Sequence, residues 1–284
     1  MSNFKKMIAS PWFSICSFIL AAGLLLFAGI GGARAALQVY SDNYKLEGEL
    51  YDIGITLNES TSKDGADAKA VAWRNYRGDG EVDGENADGT WDETKGELVT
   101  ENNAKMKADG KIVALGKLYP EYLSVTNSGN VNEYVRATVY TYWTKNDKKA
   151  TSLDPTKIHV IPSAANVGKG KAWVEDTRSD TRTDERRVFY YTKLLNKGAT
   201  TPAFTEAFSV DPAVALQVTK TETKTEVIDG EKYTTFKTTY DYDGAKFVVK
   251  VIVDAVQEHN AQPAAISAWG PNISISGGTL SLKK

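Results

Sequence analysis

Tyr134-Val-Arg-Ala-Thr-Val-Tyr-Thr-Tyr-Trp143 is a ten-residue run in which all but Arg136 and Ala137 are β-branched or aromatic, with a single charge among them. Such side chains fit a pleated, half-buried surface, and nothing in the run breaks it, so it reads as a strand. The same reading extends outward along the chain. In Lys246–Gln257, Phe247, Val249, Val251, Val253 and Ala255 fall on one face at period two, while Val248, Ile252 and Val256 share the other with Lys246, Lys250 and Asp254. The first face predicts a core contact and the second a partly covered one. Leu46, Tyr51, Ile53 and Ile55 mark an earlier strand region. Long 3.6-residue periodicity is missing beyond the amino-terminal apolar run, and no internal repeat of fixed period is visible, so the chain predicts an all-β domain.

Turn chemistry divides these strands. Asp229-Gly230 and Asp243-Gly244 supply pairs tolerant of positive φ, as type I′ hairpins require. The second is expected to join Tyr233–Tyr242 to Ala245–Gln257. The arms around the first, Thr219–Glu226 and Lys232–Thr239, are strand-prone yet polar, and predict a solvated ribbon projecting from the sandwich with an edge open to pairing. Residues 61–110 are rich in Asp, Gly, Asn and Glu and read as an elaborated loop insertion tacked to the sheet by Trp73 and Trp91. Ala261–Trp269 reads as a short helix or turn, with Pro263 in its first turn and Gly270 ending it.

The first 36 residues carry a separate message. Lys5 and Lys6 precede an uncharged stretch from Trp12 to Ile30, and Ala33-Arg34-Ala35 has the small-x-small form read by a signal peptidase. Residues 1–35 are therefore expected to be a signal peptide, a signal helix cleaved between Ala35 and Ala36; an uncleaved anchor is the competing reading of so long an apolar run. Cys16, at the head of that run, does not suit a lipoprotein signal. Loss of Lys5, Lys6 and Arg34 leaves 34 − 3 = 31 basic residues against 36 acidic ones, a net charge of about −5, with both signs interspersed. That balance gives no footprint for nucleic acid or for an anionic lipid surface. Residues 36–284 then contain no cysteine, which excludes a disulfide-stapled module, and they are long enough to bury a core without one.

Residues for catalysis are scarce. His159 and His259 are the only histidines, there is no H-E-x-x-H, and no positioning motif singles out a serine nucleophile, so no catalytic residue, metal ligand or cofactor is expected. Asp79-Gly-Glu-Val-Asp83-Gly84 begins like a calcium loop but places Thr90 where a bidentate Glu belongs. Arg77-Gly78-Asp79 is an integrin-type tripeptide in the same segment. The abundant Tyr and Trp suit either core pairs or a carbohydrate-binding face.

Leu115-Gly-Lys-Leu-Tyr-Pro-Glu-Tyr-Leu-Ser-Val-Thr-Asn-Ser-Gly129, leading into Val135–Tyr140, resembles the TasA/camelysin family of Gram-positive biofilm proteins. Tyr44–Ile53 and Tyr242–Gln257, with Trp269-Gly270, look like that family's opening and closing strands, and the region around Ala33–Ala36 looks like the signal cut by a SipW-type peptidase. The insertion at 61–110 and the Asp229-Gly230 ribbon depart from the family pattern. The resemblance implies a single jelly-roll-like antiparallel β-sandwich over 36–284, secreted to the cell surface or matrix. It also implies head-to-tail polymerisation by donor-strand complementation, with the signal peptidase and other matrix proteins as further partners and membrane contact only through the uncleaved signal.

Donor-strand complementation is β-augmentation, in which a segment of one subunit fills the sheet edge of the next. The donor is expected in 36–44, where Ala36, Leu37, Gln38, Val39 and Tyr40 alternate, Leu37 and Val39 facing one way; the same residues would also serve as the first strand of their own sheet. Two other functions stay open at this level: a monomeric surface adhesin or glycan-binding module, and a camelysin-like metallopeptidase.

Overall fold

The computed structural model describes residues 52–77, 90–93 and 114–283, all within one compact unit, Leu50–Lys284. The strands run in chain order β1 (Asp52–Ser60), β2 (Lys69–Arg77), β3 (Asp92–Glu93), β4 (Tyr119–Pro120), β5 (Tyr122–Asn127), β6 (Glu133–Lys145), β7 (Lys148–Lys149), β8 (Ile158–Pro162), β9 (Trp173–Asp176), β10 (Arg186–Tyr191), β11 (Thr205–Val210), β12 (Val218–Ile228), β13 (Glu231–Tyr240) and β14 (Lys246–Gln257). One helix follows, α1 (Ala261–Trp269), and then β15 (Ile273–Ser276) and β16 (Thr279–Leu282).

The β-branched run at Tyr134–Trp143 becomes the centre of the sheet β14-β6-β10-β9. β6 pairs with β14 over its whole length, with Val135, Ala137 and Val139 opposite Ala255, Val253 and Val251. A second sheet, β3-β2-β1-β5, lies over this apolar row, and a three-stranded sheet, β4-β11-β8, closes one side. Backbone bonds tie residues 198–204 along β5 and into β11, with Phe204 N–H donating to Leu123 O at 2.8 Å. Between the layers lies one core of Ile55, Leu57, Leu123, Val125, Val135, Ala137, Val139, Phe189, Phe204 and Val253 around Trp173. Trp173 is fully buried; its ring lies 5.0 Å from Phe204 and 5.4 Å from Tyr191, and its indole N–H donates to Pro202 O at 2.8 Å. These antiparallel sheets make the chain an all-β sandwich, as the sequence predicts; the finer jelly-roll connectivity belongs to the reading proposed below.

The large sheet is covered on its other face as well. Tyr134, Val188, Tyr190 and Val256 pack beneath Ala261 and Ala265 of α1 and beneath Ile273 and Leu280 of the β15–β16 hairpin. That is why the second face of Lys246–Gln257 mixes apolar and charged residues: the helix covers the end near Val256, and the remainder meets solvent. The helix runs as expected, with Pro263 in its first turn, where a missing N–H costs nothing, and Gly270 ending it at φ +97°.

Two expectations need correction. Residues 69–77, read as part of a loop insertion, form a full strand, with Trp73 opposite Thr56 and Ala72 opposite Leu57. The run Lys-Ala-Val-Ala-Trp-Arg is too small and too charged to announce a strand, but its Val71 and Ala72 complete the core. Asp243-Gly244 does turn, with Gly244 at φ +68°, yet it does not close a hairpin: β13 pairs with β12 and β14 with β6. The reason is partition by polarity. Tyr242 tucks against Trp143 at 4.8 Å and draws the chain inward, so the apolar face of β14 reaches the core while the polar β13 stays in solvent. The signal helix at 1–35 and most of the remaining insertion (78–89 and 94–110) lie outside the described residues.

β1 is anchored where it begins. Gly54 and Gly129 approach so closely that a Cβ on Gly129 would meet Asp52 O at 2.3 Å and Gly54 N at 2.5 Å. The contact lets the Ser128-Gly129-Asn130 turn clasp the strand, through Ser128 N–H to Gly54 O at 2.9 Å, Asn130 N–H to Asp52 O at 2.9 Å, and Asp52 N–H to Asn130 Oδ1 at 2.8 Å. Glu133 completes it from below.

Candidate assembly surfaces

β14 is the last strand of its sheet among the described residues. An edge strand leaves a row of backbone donors and acceptors facing outward, and proteins usually blunt such an edge with charge, brevity or cover. Here the edge is 12 residues long, and Phe247, Val248, Val249, Val251 and Ile252 are all half-buried. Asp254 fixes its far end. Its two carboxylate oxygens accept from Arg74 Nη1 of β2 and Arg136 Nη2 of β6, each at 2.7 Å, which ties the two main sheets together at this edge. Each guanidinium takes a different carboxylate oxygen, and such charge-assisted bonds make the junction directional as well as strong.

The second surface is the ribbon. β12 and β13 pair only with each other among the described residues, and every residue of both is exposed. Asp229 and Gly230 sit at φ +52° and +88°, the positive pair of a type I′ turn, between Ile228 and Glu231. Pleating sorts the ribbon into two unlike faces. One carries Lys220, Glu222, Lys224 and Glu226 in a row, with an ion pair of 2.5 Å between Lys220 and Glu222 and another between Lys224 and Glu226. The other carries Thr221, Thr223 and Thr225, facing Thr238, Phe236 and Thr234 of β13. Val227 and Phe236 are each 68% exposed on that face, whose one charge is Lys232 opposite Val227. The base is pinned by Asp241 N–H to Gln217 O at 2.9 Å and by Lys145 Nζ to Asp241 O at 2.6 Å.

A cleft of about 320 Å³ lies on the outer face of the large sheet, lined by Arg136, Arg178, Arg186, Tyr140, Tyr190 and Trp269. Its arginines are already engaged. Arg178 forks onto buried Asp176, Arg186 donates to the carbonyls of Thr181 and Asp180, and Arg136 stacks over Trp269 at 5.6 Å while bonding Asp254. The chemistry is that of an aromatic wall beside positive charge.

Two groups of buried carboxyls were invisible in the sequence. Glu133 is fully buried; its Oε1 accepts from Gly54 N–H at 3.1 Å and its Oε2 has no hydrogen-bond partner among the described residues. Burial, with a smaller contribution from Asp52, pushes its carboxyl up to about 8, against the lowering pull of the Gly54 amide. Burial likewise holds Glu121 well above the usual carboxylate range, helped by the carboxylate of Glu59 to which it is hydrogen-bonded. Glu133 is therefore mostly protonated at neutral pH; both carboxyls sit inside the wall of the sandwich, so they bear on stability rather than on a reaction centre.

The histidines do not come together as a site. His159 is exposed on β8 opposite Ser209, and His259 is exposed in the turn between β14 and α1. Among the described residues no three His, Cys, Asp or Glu are grouped to hold a metal ion. Ala33, Ala35 and Ala36, the donor residues Ala36, Leu37, Gln38, Val39 and Tyr40, and the Asp79–Asp83 loop all lie outside the described residues. Comparison with known proteins gives no match to a family model, to a curated protein or to a solved structure.

Proposed function

We propose that this protein is a secreted structural subunit of extracellular biofilm-matrix fibres, a jelly-roll-like sandwich that polymerises head to tail by donor-strand complementation once a SipW-type peptidase has cut before Ala36. The observation that supports this most is the β14 edge. It is long, it is half-buried, and its row Phe247, Val249 and Val251 presents apolar side chains at the two-residue spacing that an extended donor reads. A donor with Leu37 and Val39 on one face matches that spacing, since both strands repeat every two residues. Main-chain bonds along the edge would give strength, and the apolar row would fix register. Other matrix proteins with a free strand would use the same edge.

The test is electron microscopy of negatively stained residues 36–284 beside a chain beginning at Tyr44. Fibres from the longer chain and none from the shorter are expected. Fibres from both, or from neither, overturn the proposal.

A second reading rests on the cleft. Trp269 beside Arg136, Arg178 and Arg186 suits an acidic sugar, the indole ring taking the sugar face and a guanidinium its carboxylate. A monomeric glycan-binding module would bind uronate-containing polysaccharide and lose that binding in Trp269→Ala, without forming fibres.

A further inference from the structure

We propose that the free edge of β12 pairs antiparallel with β12 of a second copy of this chain, about a two-fold axis through Thr223. The inference goes beyond the fibre reading and does not depend on it.

The argument begins with the order of charges. Along one face of β12 the row is Lys220, Glu222, Lys224, Glu226, each separated from the next by a threonine that points the other way. Set antiparallel about Thr223, Lys220 meets Glu226 of the partner subunit and Glu222 meets Lys224 of the partner subunit; symmetry repeats both pairs. All four charges then stand opposite the other sign, and on the reverse face Thr221 meets Thr225 of the partner subunit. Opposite charges and threonine pairs directly across strands are both favourable contacts.

No neighbouring register does this. A slip of two residues sets Lys220 against Lys224 of the partner subunit and Glu222 against its own copy. An odd slip faces charges with threonines, and parallel in-register pairing aligns every like charge. Charges on an edge strand ordinarily prevent pairing; alternating ones oppose the stacked and two-residue-slipped arrangements, and a slip of four pairs only two of the four charges, so the arrangement about Thr223 alone matches all four.

Position supports the same conclusion. β12 has β13 on one side only and is exposed from end to end, so its outward amides and carbonyls meet no other part of the described chain. A ribbon of two strands alone is marginal in water, and a four-stranded sheet made from two copies is not. The contact is isologous and therefore closed: it joins two subunits and cannot run on into a filament. A strand-to-strand contact of this length is small, so the pairing is a modest one, weakened by salt.

The experiment uses the mature chain in sedimentation velocity and oxidative cross-linking. Lys220→Glu with Lys224→Glu makes the row wholly acidic, and Glu222→Lys with Glu226→Lys makes it wholly basic. Each is expected to weaken dimerisation on the order of tenfold to a hundredfold. An equimolar mixture of the two recovers it, and so does the chain with all four charges reversed, results that a misfolded ribbon would not give. Residues 36–284 contain no cysteine, so Thr223→Cys, on the axis, gives a covalent dimer on oxidation whereas Thr221→Cys does not. A mature chain that remains monomeric at every concentration, with Thr223→Cys unlinked, overturns the inference. Association indifferent to all the charge reversals, as pairing of this edge with uncharged residues 36–41 would be, also overturns it. A chain that dimerises as stated yet forms no fibres leaves this inference standing and removes the fibre reading instead.

Discussion

Replacing Glu133 by Gln should stabilise the protein at neutral pH and remove part of its pH dependence. The carboxyl titrates at about 8 when folded, against an ordinary value of 4.5 when the chain is open. Below pH 4.5 both states are protonated and the group has no effect on stability. Between 4.5 and 8 the unfolded chain releases the proton and the folded one keeps it, so stability falls as pH rises; above 8 both are ionised and the loss is complete. Each unit of difference is worth about 1.4 kcal/mol, so the loss approaches roughly 3 kcal/mol at pH 7 and roughly 5 kcal/mol above pH 8. Gln keeps an oxygen to accept from the Gly54 amide and has nothing to titrate. Urea unfolding followed by tryptophan fluorescence, at unit steps from pH 4 to 9, should show the two proteins nearly equal at pH 4 and diverging by roughly 3 kcal/mol at pH 7 in favour of the variant. Glu121 contributes a slope of the same sign, but it is common to both proteins and cancels in the difference. Parallel stability curves across this range would refute the assignment of a buried neutral carboxyl at this place.

Gly129→Ala should cost about 3 kcal/mol or more in the same unfolding assay, because its new methyl would stand 2.3 Å from the carbonyl oxygen of Asp52, a backbone atom that cannot swing away. Asp254→Asn leaves Arg74 and Arg136 facing an uncharged amide and should destabilise by about 2 kcal/mol, with a double-mutant cycle against Arg136→Met showing coupling of about 1 kcal/mol. Trp173→Phe removes a fully buried indole and its bond to Pro202 O, and should lower stability by about 2–3 kcal/mol in urea. Replacing residues 219–240 by a short Gly/Ser linker should leave the melting temperature within a few degrees, since every residue of the ribbon is exposed; a large drop in thermal unfolding would mean that the ribbon supports the core.

Much of the architecture could be read from periodicity. Tyr134–Trp143 and Lys246–Gln257 announced the two longest paired strands because burial on one face writes itself at period two, and Asp229-Gly230 announced the ribbon because few residue pairs accept positive φ twice. β2 escaped because it puts only Val71 and the small Ala72 into the core and follows them with Arg74, a charge made acceptable there by Asp254. The pairing of β14 with β6 rather than β13 escaped because local turn chemistry says that the chain reverses and not which strand it then meets. For the candidate surfaces, the alternating charges of β12 were on view from the start, but their meaning needed the knowledge that one edge of the strand is free. Glu133 carried no signal at all, since an acidic residue at the head of an apolar run usually marks a strand end in water.

The clasp between Gly54 and Gly129 has a mechanical side. β1 lies between β2 and β5, hydrogen-bonded on both flanks, and a pull applied from its amino-terminal side enters at Asp52 along the strand axis. Force in that direction loads both ladders in shear, with many bonds resisting together, whereas a pull across the strand would open them one after another. The Ser128–Asn130 turn adds its three backbone bonds at the point of entry, so the first bonds to feel the load are braced from a second direction. A subunit tethered through its leading segment would therefore yield last where the tether meets the fold.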